Sequence, residues 1–369
     1  MFNAFAVLFG LLAPSLAHAT TFEDLRSLIE SNGLKTIEDV LPRLSPVLKS
    51  NYVLVHTSRS LQSATPSQPR AILFEPGGYF LMAFNSASAA KGAQSLEVVQ
   101  YRYESGSFEF RNIEFSAEGA KFSDANPARC FGCHRADPRP NWESYPFWPG
   151  AYGTNHRLPP TAWEMEQLKA FADRAPADAR YKNLTNVPAR IGPLMSAPNL
   201  SLSYTLTYLN VKRIIRLMRD RPYFEAYKYA VGALLGQCGT VEELLPSDLF
   251  EFHALKNLPL AELTSQTRNM MLKNRTEEQV AFDVAPKRLS IIAGFRYLFE
   301  ALGPSIESWS TSVDRETYRF SSGSDGIRDV TKEFLSTLEN PTDCRTLKTR
   351  SRAALEAVKK QIIGTTPAN

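Results

Sequence analysis

The sequence lacks a strong charge bias, long apolar runs beyond its first nineteen residues, and the common catalytic motifs. Its 42 basic and 38 acidic residues leave a formal net charge of +4, too diffuse to predict nucleic-acid binding, although it favours an acidic protein partner over a neutral one. No later stretch approaches the roughly eighteen uninterrupted apolar residues of a membrane-spanning helix. No Ser-His-Asp set, phosphate-binding loop or H-E-x-x-H motif occurs, so hydrolase and nucleotide chemistry have no signature here.

Residues 1–19 have the form of a secretory signal peptide. The apolar run "FAVLFGLLAPSLAHA" ends in a small-x-small site at Ala17 and Ala19, which suits signal peptidase. No Lys or Arg precedes the run, so the amino terminus must supply the positive charge; a short buried helix or membrane anchor is the alternative. Cleavage after Ala19 predicts a periplasmic or otherwise exported protein in an oxidising compartment, without stable membrane insertion.

The remaining chain predicts an α+β fold. Residues 20–122 read as an N-terminal helix followed by a small antiparallel β region. The helix starts with a capping box at Thr21 and Asp24 and ends at Gly33, and five apolar strand-like runs then lie between residues 52 and 115. In the last run the apolar alternation slips by one residue between Phe110 and Ile113, which predicts a β-bulge.

Residues 201–369 are predicted to form a mainly helical region. Apolar residues at helical spacing fill residues 203–218 and 289–302, and Thr161 and Thr240 each precede a Glu at the capping-box distance. Residues 123–200 lie at the junction of the sheet and helical regions, and ligand sites favour such junctions.

The junction contains Cys130-Phe131-Gly132-Cys133-His134, the C-x-x-C-H attachment sequence of c-type haem (heme c). Two thiols three positions apart can each form a thioether to one haem vinyl group, and the next residue then places its imidazole under the iron. Three alternatives compete: a thioredoxin-like redox pair, which should follow a strand in a βαβ unit; a zinc site, which needs further ligands; and a short structural disulfide. An exported C-x-x-C-H sequence favours one covalently attached haem c.

The other two cysteines, Cys238 and Cys344, lie in the helical region. In an oxidising compartment they are predicted to form a disulfide, and two buried free thiols are the alternative. Neither has a neighbouring histidine in the sequence, so they are not expected to bind a metal.

An aromatic, proline-rich stretch follows the motif. Its prolines and glycines forbid a regular helix or strand, so it predicts either a rigid wall against a porphyrin or a hydrophobic plug at the domain junction. Arg129 and Arg139 flank the motif and are candidates to pair with haem propionates; a solvated surface position is the alternative for each. The candidate haem-contacting residues of this segment are Arg139, Trp142, Tyr145 and Trp148.

The motif resembles that of c-type cytochromes in general. More narrowly, "SRSLQ", "ANPARCFGCH" and "RPNWESYPFWPGAYG" resemble segments of a group of exported bacterial proteins of uncharacterised role that carry one such motif after a strand-rich region. The resemblance covers residues 51–153. It implies haem c bound through Cys130, Cys133 and His134, and it implies no particular reaction.

The sixth position of the iron separates the candidate functions. Met195 is the favoured ligand, because Gly192 and two prolines around it predict an irregular loop; for Met195 itself the alternative is a residue that fills a gap in the core. For the iron, His156 or an empty position are the alternatives. A strong sixth ligand predicts an electron carrier that is not an enzyme and serves a redox partner protein. An open position predicts a haem enzyme or small-gas sensor, and a scaffold protein with a structural haem is the third hypothesis. The other histidines, His56 and His253, are expected to be structural.

Overall fold

The computed structural model describes residues 21–58, 60–134, 138–140, 150–153, 160–219, 224–236, 238–239, 241–244, 332–338 and 343–365. Six strands form one antiparallel sheet in which each strand pairs with the next along the chain. The α+β class is therefore confirmed. The strands are β1 (Tyr52–Val55), β2 (Arg70–Phe74), β3 (Phe80–Phe84), β4 (Ser95–Arg102), β5 (Ser107–Ser116) and β6 (Gly119–Phe122).

Helices precede and follow the sheet. They are α1 (Phe22–Ser31), α2 (Ile37–Val40), α3 (Pro46–Ser50), α4 (Ala128–His134), α5 (Ala162–Arg174), α6 (Pro193–Arg219), α7 (Phe224–Leu235), α8 (Val241–Leu244), α9 (332–336) and α10 (Cys344–Thr365). Short 3-10 helices occur at Leu41–Arg43, Ala175–Ala177 and Tyr181–Asn183. Among the helices described, none is both long and apolar enough to span a membrane.

The predicted N-terminal helix is confirmed. The Thr21 hydroxyl accepts a hydrogen bond from the Asp24 amide at 3.0 Å, and the Asp24 carboxylate accepts one from the Thr21 amide at 2.9 Å. This reciprocal cap satisfies two amides that the first turn leaves unpaired. Gly33, with φ of +58°, turns the chain out of the helix at the other end in a conformation that favours glycine.

Both faces of the sheet are buried. The first-face core contains residues from α1, α2, α3 and α5 packed on the strand residues Leu54, Leu73, Met82, Val98, Ile113 and Phe115. The second-face core contains the strand residues Val53, Ile72, Phe74, Leu81, Val99, Tyr101, Phe108 and Phe110 with Leu202, Leu206 and Leu209 of α6. Every strand from β1 to β5 thus contributes apolar side chains to both cores.

The predicted bulge in β5 is wrong. The pairing of β4 with β5 runs without interruption from Ser95–Glu114 to Arg102–Ser107. Phe108 and Phe110 point to the second-face core, whereas Ile113 points to the first-face core. The apolar alternation changes side because the sheet is covered on both faces, a burial that supports continuous apolar runs.

The helical region holds the predicted disulfide. Cys238, just after α7, is bonded to Cys344 at the start of α10, with 5.0 Å between their Cα atoms, in agreement with the predicted disulfide and not with the alternative of two free thiols. The helix predicted over residues 203–218 is confirmed as part of α6, which also runs through the predicted domain boundary at residue 200. The signal peptide, Thr240 and the helix predicted over 289–302 lie outside the described residues.

Candidate haem-attachment site

The C-x-x-C-H sequence lies in α4, and the chain passes from the sheet to this helix through Asn126. The Asn126 amide donates to the Phe110 carbonyl at 2.7 Å, and its side-chain oxygen accepts from the Phe110 amide at 2.8 Å. Asn126 adopts φ of +52°, a left-handed conformation that asparagine tolerates better than most residues. The Cys130 amide then donates to the Pro127 carbonyl at 2.8 Å. These bonds fix the start of α4 against the middle of β5.

The imidazole of His134 is held by a backbone carbonyl. Its Nδ1 lies 2.6 Å from the Arg139 carbonyl oxygen, and because a carbonyl can only accept, the proton must be on Nδ1. In the neutral ring Nε2 then carries the lone pair, which is the arrangement of a metal-binding histidine with its outer hydrogen bond in place. The ring also packs against Phe110, with centroids 4.0 Å apart.

Arg139 is buried rather than solvated, with 4% of its surface exposed. It lies between Pro138 and Pro140, which are also buried, and its Nη1 donates to the His134 carbonyl at 3.3 Å. Two hydrogen bonds in opposite directions therefore join residues 134 and 139. Arg129 is different: it is partly exposed and forms an ion pair with Glu114 at 2.5 Å.

Cys130 and His134 lie on one side of α4, since residues four apart in a helix share a face. Cys130 packs against the second-face core, to which the Phe110 beside His134 also belongs. The two residues therefore face an apolar surface of the sheet, an environment that suits a porphyrin. Cys133 lies in the same helix, one position before His134.

The aromatic stretch after the motif ends in a second fixed segment, residues 150–153. The Gly150 carbonyl accepts from the His56 amide at 2.6 Å, the Tyr152 amide donates to the Leu54 carbonyl at 2.9 Å, and Ala151 pairs with Val55. This segment extends the sheet beyond β1. Trp142, Tyr145 and Trp148 lie outside the described residues, so the wall and plug hypotheses stay open.

Met195 is not in the irregular loop that was predicted. Pro193 is the first residue of α6, a position where proline is favoured, and Met195 lies in the first turn with 1% of its surface exposed. It belongs to the first-face core, whereas Cys130 and Phe110 pack in the second. The described residues therefore do not bring Met195 together with His134. His156, the rival sixth ligand, lies outside the described residues.

His56 has the structural environment expected of it. Its ring contacts those of Tyr152 and Trp163, with centroids 4.7 and 5.4 Å away, and burial lowers the pKa of its imidazole below the usual value. His253, also expected to be structural, lies outside the described residues.

The alternatives to haem make different demands on the structure. Within the part of the chain described, no three His, Cys, Asp or Glu residues are grouped to hold a bare metal ion, and every pairing between named strands is antiparallel, whereas a thioredoxin motif follows a strand of a βαβ unit. Haem c needs only two thiols and one oriented imidazole. No family model, curated protein or solved structure matches the chain.

Sequence reasoning missed the place of Phe110 in this site. Phe110 was noticed only as part of an alternating strand, and nothing in the sequence joins it to a histidine in the next segment. The Asn126-Pro127 pair does indicate in the sequence that the chain turns out of the sheet before a short helix, but the bonds of Asn126 to Phe110, sixteen positions away, have no such signal.

Proposed function

We propose that this protein is an exported, periplasmic c-type cytochrome that transfers single electrons. One haem c is attached through thioethers at Cys130 and Cys133, with His134 as the proximal ligand. The protein then acts as an electron carrier for a redox partner protein rather than as an enzyme. The haem supplies the one-electron couple, and the polypeptide supplies attachment, orientation and exclusion of water.

The observation that carries the proposal is the hydrogen bond from His134 Nδ1 to the Arg139 carbonyl. A dithiol redox pair or a short disulfide has no use for an oriented imidazole directly after its second cysteine. A haem ligand does, because the bond fixes the ring orientation and leaves Nε2 as the donor toward iron. Phe110 packs on the same ring and limits the access of water to it.

A second candidate is a haem enzyme or small-gas sensor with an open distal position. One observation favours it: Met195, the expected sixth ligand, is buried in the core on the other face of the sheet. Addition of carbon monoxide to the reduced protein separates the two functions. A rapid shift of the main absorption band indicates an open iron, whereas an unchanged spectrum indicates a strong sixth ligand.

The attachment is tested by expressing the full chain in a host with cytochrome c maturation. We expect the mature protein to gain the mass of one haem and to show haem-dependent peroxidase staining on a denaturing gel. Cys133→Ala should lose most of that stain, because one thioether and the placement of His134 are lost. His134→Gln should alter the visible spectrum, because the proximal ligand is removed.

His56→Gln is the matched control for the histidine substitution, since it removes a partly buried imidazole that contacts Tyr152 on the β1 side of the fold. It should retain the wild-type stain and spectrum. A correctly exported wild-type protein without covalent haem would refute the proposal.

A further inference from the structure

A cavity of about 270 Å³ lies between the β4–β5 turn, the C-terminal half of α6, and α9. Its apolar lining includes the buried side chains of Tyr101, Ile215 and Phe334, and Tyr103 stands at its rim with 52% of its surface exposed. This volume lies just below the roughly 300–1,000 Å³ of typical ligand pockets, so we expect a small ligand of one to three fused rings. Aromatic lining favours a planar ligand.

Cations outnumber carboxylates in the lining. Lys212, Arg216 and Arg219 line the cavity together with Glu104 and Glu333. Glu333 is matched within the protein, because Lys212 Nζ lies 2.8 Å from one of its oxygens and the Tyr208 hydroxyl donates to the other at 2.6 Å. Although burial alone would raise the pKa of Glu333, these two hydrogen bonds hold it below the usual value. The cavity therefore favours an anion.

The exposed Arg219 extends this preference to the mouth of the cavity. Its guanidinium lies 3.4 Å from the neutral Thr337 hydroxyl, and its charge is among those that lower the pKa of Glu333. A planar molecule seated on Tyr103 would present an acidic substituent to this guanidinium, which is suited to carboxylate and sulfonate groups.

Aromatic side chains of β4 and β5 lie between the cavity and His134. Tyr101, in the cavity lining, contacts Phe108 with centroids 5.1 Å apart. Phe108 and Phe110 point to the same face of β5, about 7 Å apart along the strand, and Phe110 packs on the His134 ring at 4.0 Å. The cavity and the candidate haem site thus share the second-face core.

We infer that this cavity binds a small planar anion, of the class of anionic quinones and quinols, that exchanges electrons with the protein. The inference rests on the proposed cytochrome function and names a class of redox partner for it. The step is an outer-sphere transfer in which the quinol loses one electron and the oxidised protein gains it, while the phenolic proton goes to solvent.

Binding is tested first, by calorimetry of the haem-loaded protein with oxidised anthraquinone disulfonate. We expect one equivalent to bind to the wild type and Arg219→Met to weaken this binding about tenfold, the loss of one charge-assisted contact. Arg26→Met is the matched control, because Arg26 is an exposed arginine of α1 whose partner Glu30 is on the same helix. It removes the same net charge far from the cavity and should bind as the wild type does.

Electron transfer is tested by mixing the oxidised protein with reduced anthraquinone disulfonate and, separately, with the cationic reductant hexaammineruthenium. The rate with the anionic quinol should saturate and should fall about tenfold in Arg219→Met, whereas the rate with the cation should not fall. Tyr103→Ser, which keeps every charge, should raise the quinol concentration at which the rate is half-maximal. Equal losses in Arg219→Met and Arg26→Met, or an unsaturated rate, would overturn the inference. Failure of the cytochrome proposal is distinguishable, because it appears as protein without covalent haem.

Discussion

Gly153→Ala tests how the segment after the aromatic stretch is anchored. Gly153 has φ of +71°, and its amide donates to Glu164 at 3.1 Å. A Cβ built on it would lie 2.5 Å from Cγ and 3.2 Å from Cβ of Met195, a side chain that is itself fully buried. An alanine at this position therefore meets both an unfavourable backbone conformation and a direct overlap.

The two costs can be separated with a matched substitution. A left-handed conformation costs an alanine about 1–2 kcal/mol, and overpacking a buried site costs about 1–3 kcal/mol more. Gly33→Ala meets only the first cost, because Gly33 has φ of +58° and nothing lies within 4 Å of its would-be Cβ. Both substitutions lower the entropy of the unfolded chain equally. We expect Gly153→Ala to lose about 1–3 kcal/mol more unfolding free energy than Gly33→Ala.

The assay is urea unfolding followed by far-ultraviolet circular dichroism, extended to a double-mutant cycle. Met195→Ala removes the Cγ atom and leaves a cavity that costs about 2–5 kcal/mol by itself. In the double variant the new methyl group has room, so the combined loss should be smaller than the sum of the single losses. Equal destabilisation by Gly153→Ala and Gly33→Ala, together with additive losses in the cycle, would refute the packing described for this segment.

Two further predictions concern the disulfide and His56. Cys344→Ala should lower the unfolding free energy by up to about 5 kcal/mol, because the bond closes a loop with a sequence separation of 106 residues, while the haem stain stays unchanged; two thiols alkylated in the unfolded, unreduced wild type would contradict it. For His56, burial lowers the folded-state pKa, so its stabilising contribution is complete above about pH 6.5 and is lost as the pH falls below that value. The stability difference between the wild type and His56→Gln should shrink between about pH 7 and 5, and a difference independent of pH would exclude this role.

Features set by local chemistry could be predicted from the sequence. The Thr21 cap needs only a neighbour three residues away, and the five strands between residues 52 and 115 follow from their apolar runs. The disulfide was predicted from the expected oxidising compartment and from the even number of cysteines that remain when Cys130 and Cys133 are set aside. Strand β6 was missed because "GAKF" has no alternating pattern, and it pairs with β5 through backbone bonds that any sequence can make.

Features set by long-range packing could not be predicted. The irregular loop predicted around Met195 is wrong because Pro193 starts α6 and Pro198 lies within it, whereas the alternative of a core position for Met195 is confirmed. The apolar alternation shifts by one residue after Phe110. A β-bulge and a sheet buried on both faces produce the same shift in the sequence. The carbonyl that holds His134 belongs to Arg139, and a backbone acceptor has no signature in side chains.

Val55 and Ala151 are paired although five strands, β2 to β6, lie between them in the chain. Hairpins between successive strands close short loops and form quickly, whereas this pairing closes a loop that contains most of the sheet and costs more chain entropy. We therefore expect the sheet to assemble first and residues 150–153 to dock late. Until they dock, α4 is tethered to the sheet from its N-terminal side alone. Under the proposed cytochrome function, haem attachment would compete with this last step of folding, so a chain whose residues 150–153 dock early would fold without its cofactor.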